Sequence, residues 1–78
     1  MDEATLRRDI NQFFSNVLGC EVGEFENFFD LGGDSLKAAD LIEAISSHVG
    51  IKLEFALLLD CPSSAEMSGR VLQKLRRA

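Results

Sequence analysis

Ser35 stands where a glycine turn gives way to an apolar-periodic segment, in the run Phe28-Phe29-Asp30-Leu31-Gly32-Gly33-Asp34-Ser35-Leu36. A hydroxyl in the first turn of a helix lies among backbone N–H groups that lack intrahelical acceptors, and it feels the positive end of the helix dipole. A phosphate ester formed on Ser35 is well placed there. Asp34 is a good N-cap, while Gly32 and Gly33 allow a tight approach and the apolar residues before them can anchor the loop to a core. The chemistry this spacing supports is attachment at a surface hydroxyl.

Other chemistries fit the same residues poorly. Ser35, His48 and several aspartates contain the types of a hydrolytic triad, but His48 lies thirteen positions further along the same predicted helix. At 1.5 Å per residue that is ~20 Å, far outside hydrogen-bond reach. The surroundings of Ser35 also lack the Gly-x-Ser-x-Gly elbow. A solvated histidine at a helix end is the expectation for His48. No Gly-Lys-Ser/Thr follows the two glycines, and Asp34 puts negative charge where a bound nucleotide phosphate would sit. A calcium loop starting at Asp30 fails because Gly32, Ser35 and Leu41 occupy positions that call for a ligand, the turn glycine and the terminal glutamate. Cys20 and Cys61 are far apart and there is one histidine, so neither a disulfide framework nor a zinc site is signalled.

The elements that position Ser35 follow from apolar spacing. Leu6, Ile10, Phe13, Phe14, Val17 and Leu18 recur by threes and fours, which predicts a first helix over 3–18 that stops at Gly19. A second helix runs from Ser35 to about Val49, with Ala38, Leu41, Ile42, Ile45 and Val49 on its inward stripe. Leu36 falls on the opposite side with Asp40, Glu43 and Ser47, which leaves an exposed leucine beside the serine. Gly50 ends this helix, Ile51-Lys52-Leu53 reads as an extended connector, and 54–59 form one or two helical turns. Ser63-Ser64-Ala65-Glu66 is a capping box that opens a last helix with Met67, Val71, Leu72 and Leu75 inward. Between the first two helices, the long connection from Gly19 to Asp34 carries Val22, Phe25, Phe28, Phe29 and Leu31, so it is expected to pack rather than hang loose.

Seventy-eight residues make one domain, 1–78, close to the lower size limit for a single unstapled core. The fold class is all-α, a small four-helix bundle of three main helices and one short one. A net charge of −5 repels nucleic-acid backbones and anionic lipid surfaces, and it favours basic partners. No apolar run approaches the ~20 residues of a membrane span, and the amino end is unlike a secretory signal, so the expectation is a cytoplasmic monomer.

The motif around Ser35, with Ile51-Lys52-Leu53 and Cys61-Pro62-Ser63-Ser64-Ala65-Glu66-Met67, resembles the phosphopantetheine-dependent carrier proteins. These include acyl carrier proteins and the peptidyl carrier, or thiolation, domains of nonribosomal synthetases. The resemblance spans essentially the whole chain. It implies that Ser35 receives 4′-phosphopantetheine from coenzyme A through a magnesium-dependent phosphopantetheinyl transferase, which recognises Gly33, Asp34 and Leu36. It implies a non-catalytic carrier of an acyl or aminoacyl thioester in a polyketide-type or nonribosomal peptide pathway. Its partners are then an adenylating or acyl-transferring loading enzyme and a downstream synthase or transferase. They dock through Leu36, Asp40 and Glu43, with Lys37 interrupting the acidic face. The Leu-Gly-Gly-Asp-Ser-Leu wording leans to aminoacyl or peptidyl carriers, whereas the acidic, short chain suits a discrete acyl carrier. A docking scaffold without the prosthetic group, or an acidic helical interaction domain, is the alternative.

Overall fold

The computed structural model describes residues 2–77, and its regular elements are four helices. They are α1 (Glu3–Leu18), α2 (Ser35–Val49), α3 (Phe55–Asp60) and α4 (Ser64–Arg77).

Each main helix starts and stops where its residues require. The Asp2 carboxylate caps α1 by accepting from the Thr5 N–H at 2.8 Å, and that bond holds the Asp2 carboxyl below the usual aspartate range. Gly19 and Gly50 close α1 and α2 in the left-handed region, with φ of 73° and 76°. Their N–H groups donate to the Ser15 and Ser46 carbonyls. At the start of α4, Ser63 Oγ accepts from the Glu66 N–H at 3.3 Å and donates to Glu66 Oε1 at 2.8 Å. The predicted capping box is present, with the glutamate carboxylate taking the serine hydroxyl.

α1 packs against both α4 and α2, and α2 packs against α3, so α1 is the spine of the bundle. Leu6, Ile10 and Phe14 on α1, Ala38, Leu41 and Ile45 on α2, and Met67 and Val71 on α4 are completely buried. These are the predicted stripes, and Val49 and Leu75 sit partly buried at their ends. The short α3 adds Leu57 and Leu58 to the same cluster and leaves Phe55 and Leu59 exposed. Cys61 also joins the core, where burial pushes its thiol up, while Cys20 is exposed.

One expectation fails and another is refined. The loop from Gly19 to Asp34 is packed through Val22 and Phe28, and partly through Phe29 and Leu31, but Phe25 is 75% exposed. A turn closed by Glu26 N–H on the Gly23 carbonyl at 3.0 Å puts Phe25 at its outer corner. There the Arg7 guanidinium lies 6.0 Å from the centroid of its ring. His48 is exposed at the end of α2, as expected, and it also has a partner. Its Nε2 lies 3.0 Å from Asp9 Oδ2, and its ring meets Phe13 edge-on, so it ties the end of α2 to α1.

Candidate functional site

The site is built on Phe28. This ring is completely buried and meets Phe14 and Phe29 edge-on, with centroids 5.6 and 5.4 Å away. Its backbone is held on both sides: the N–H donates to the Pro62 carbonyl at 2.8 Å, and the carbonyl accepts from the Gly33 N–H at 3.1 Å. Gly33 therefore lies directly on the Phe28 ring. A Cβ at this position would collide with that ring and stand 2.7 Å from the Phe28 carbonyl oxygen. Gly32 turns the chain with φ of 93°, a region that costs glycine nothing. Asn27 supports the turn from inside, its Oδ1 accepting from the N–H groups of Phe29 at 2.8 Å and Asp30 at 3.3 Å.

From this platform the chain enters α2. Asp34 is extended, its Oδ1 accepts from the Lys37 N–H at 2.9 Å, and its carbonyl accepts from the Ala38 N–H at 2.8 Å. The Ser35 and Leu36 N–H groups have no acceptor among the described residues. Ser35 is exposed as the first helical residue, and Leu36 beside it is 77% exposed. A group carrying negative charge on the Ser35 hydroxyl fits this end: open space around the oxygen, free N–H donors and the helix dipole. The Asp34 carboxylate is turned away to its capping bond.

All the residues singled out by sequence fall on this one end and one face. Gly33, Asp34, Ser35 and Leu36 are consecutive. Leu36, Asp40 and Glu43 are all exposed, one above the other at helical spacing along α2. Next to that stripe lies an apolar groove of about 340 Å³ lined by Ile42, Leu53 and Phe55, with Glu43 and Lys52 also bordering it. His48, at the far end of α2, is paired with Asp9 and takes no part in the Ser35 end. No cluster of ligating side chains that could hold a metal ion occurs among the described residues. Nor is any helix long and apolar enough to cross a membrane. Two supports escaped the sequence reading, Asn27 and the Pro62 carbonyl. Asn27 had a local signal, an Asn within a glycine-rich loop, whereas Pro62 acts through a backbone atom that no side-chain pattern marks.

A helical bundle that presents one serine at the capped start of its second helix has the build of a carrier protein. The family model described as "Phosphopantetheine attachment site" matches residues 8–71. The chain belongs to this family of phosphopantetheine carrier proteins. It is 41% identical over 58 residues to nonribosomal peptide synthetase kk1B of Curvularia clavata, a match covering 74% of this chain and, to the nearest per cent, 0% of that synthetase. Against surfactin synthase subunit 3 of Bacillus subtilis the identity is 39% over 64 residues, covering 81% of this chain and 5% of the subunit. The chain thus spans only a small fraction of these curated relatives. Among solved structures, BlmI, a type-II acyl-carrier-protein from Streptomyces verticillus involved in bleomycin biosynthesis, superposes with a TM-score of 0.91 at 31% identity, covering 94% of this chain and 89% of that one. The prosthetic group of this family is phosphopantetheine.

Proposed function

We propose that Ser35 is the residue that carries the 4′-phosphopantetheine, and that 1–78 act as one carrier domain whose thioester cargo is an aminoacyl, peptidyl or acyl unit. The observation that carries this reading is the Ser35 hydroxyl, exposed at the first position of α2 and backed by the Asp34 cap and the glycine turn. In the transfer, Ser35 Oγ attacks the coenzyme A phosphate next to the pantetheine. The bond from that phosphate to adenosine 3′,5′-bisphosphate breaks, and the hydroxyl proton leaves to a base on the transferase. Once attached, the group supplies a terminal thiol that holds cargo as a thioester, and the protein supplies its position.

Gly33, Asp34 and Leu36 are the residues a phosphopantetheinyl transferase meets around that hydroxyl. The Leu36, Asp40 and Glu43 stripe offers one apolar anchor flanked by carboxylates. That pattern suits brief contacts with basic surfaces, in which charge sets approach and orientation and the leucine supplies the buried contact. The partners are the transferase, a loading enzyme that adenylates or transfers an acyl group, and a synthase or transferase downstream. The names of the relatives favour nonribosomal peptide assembly, with the chemistry left to the partner enzymes.

The test is the intact mass after incubation with coenzyme A, magnesium and a broad-specificity phosphopantetheinyl transferase. A gain of one phosphopantetheine that disappears in Ser35→Ala is the expected result. A folded protein that gains nothing overturns the reading and favours a docking scaffold.

A further inference from the structure

The loop that leads to Ser35 is gripped from outside by two side chains that the carrier reading leaves unused. On α1, Asn11 Nδ2 donates to the Val22 carbonyl at 3.0 Å and to Ser64 Oγ at 2.9 Å. On α4, Ser64 Oγ donates to the Glu24 carbonyl at 3.3 Å, and that carbonyl also accepts from the Ala65 N–H at 2.9 Å. Ser64 is completely buried. A hydroxyl so placed is costly unless it is bonded, and no buried side-chain nitrogen or oxygen among the described residues lacks a partner. The bonds run from two helices to one stretch of loop backbone, Val22–Glu24.

Beyond Glu24 the loop is closed by a series of backbone bonds. Glu26 N–H closes on the Gly23 carbonyl, Phe28 N–H on Pro62, Leu31 N–H on Asn27, and Gly33 N–H on Phe28, at 3.0, 2.8, 3.3 and 3.1 Å. Gly33 is two residues before Ser35. The first closure hangs on Gly23, inside the gripped stretch, and Phe28, which carries Gly33, is held by Pro62, two residues before Ser64. A shift at Val22–Glu24 is therefore passed along to the turn under Ser35.

We infer that Asn11 and Ser64 are positioning residues for phosphopantetheine transfer, acting through the loop rather than on the hydroxyl; this rests on the assignment of Ser35 above. A loop that loses these bonds spends part of its time in arrangements the transferase cannot engage. The apparent affinity then falls with the competent fraction, while the step that follows engagement keeps its rate. The signature is a raised KM for the carrier at unchanged kcat.

The test measures both constants for the magnesium-dependent transferase and coenzyme A, together with amide hydrogen exchange in the unmodified protein. Asn11→Asp keeps the shape of the side chain and removes its donors. It is expected to raise KM by about tenfold at unchanged kcat and to speed exchange at 22–33 while the α1 and α2 core amides stay protected. Ser64→Ala, which leaves the Ala65 N–H on the Glu24 carbonyl, is expected to move both readouts in the same direction by less. Leu75→Ala, partly buried toward the other end of α4, lowers stability without touching the loop and is expected to leave KM alone. An unchanged KM in both Asn11→Asp and Ser64→Ala overturns the inference, as does an equal rise in Leu75→Ala. Absence of any mass gain in the unaltered chain overturns the Ser35 assignment and this inference with it, a result distinct from a defect confined to the variants.

Discussion

The two ends of α2 are anchored in opposite ways. At the carboxyl end the side chains do the holding: His48 bonds Asp9 and stacks edge-on against Phe13, and Ser46 Oγ accepts from the Leu53 N–H at 3.0 Å. At the amino end the holding lies in the loop backbone, in Phe28 beneath it and in the short bonds accepted by the Asn27 side-chain carbonyl and the Asp34 carboxylate, and the Ser35 and Leu36 side chains are left to solvent. Both ends are anchored, but only one has side chains to spare. An enzyme that must reach a hydroxyl needs that second kind of anchoring, in which the group is fixed in place without being consumed by its own fold.

Four substitutions probe this contrast. Gly33→Ala strikes the backbone anchor and has the largest effect. Its methyl group collides with the Phe28 ring and carbonyl, which should cost about 1–3 kcal/mol in a thermal or denaturant melt and slow phosphopantetheine transfer as well. His48→Ala strikes the side-chain anchor. It removes a half-exposed pair and one ring contact, so a loss of about 0.5–1 kcal/mol is expected with the rate of transfer unchanged. Slower transfer at constant stability would mean that the two ends are not independent. The smallest effect on the fold comes from Leu36→Ala, which should leave the melt where it is and slow transfer on the order of tenfold through the lost anchor. Asp40→Lys is its electrostatic counterpart, and its effect should shrink as salt rises.

What could be read from sequence was whatever repeats along one helix or sits next to its own partner. The stripes of α1, α2 and α4, the Asp34 cap and the outward Leu36 are all local consequences of periodicity, and the structure has each of them. The contacts that sequence did not reveal share a cause. His48 and Asp9 are 39 residues apart, and Asn11 and Ser64 are 53 apart, so nothing local distinguishes them from ordinary solvated polar residues. Ser64 in particular sits inside a capping motif whose local role belongs to Ser63, and its burial is decided by α1 across the interface. Phe25 erred in the other direction. An aromatic residue in a loop reads as core by type, yet a four-residue turn decides which of its corners faces inward.

The Phe28 N–H and the Glu24 carbonyl find their partners at Pro62, Ser64 and Ala65, close to the start of the last helix. On a ribosome, the whole stretch from Gly33 to Leu36 emerges well before those partners exist. A nascent chain that has not yet reached Pro62 displays the complete motif as a peptide but lacks those partners. The turn before Ser35 is thus local in sequence, but part of the support beneath it arrives only with the segment that opens the last helix.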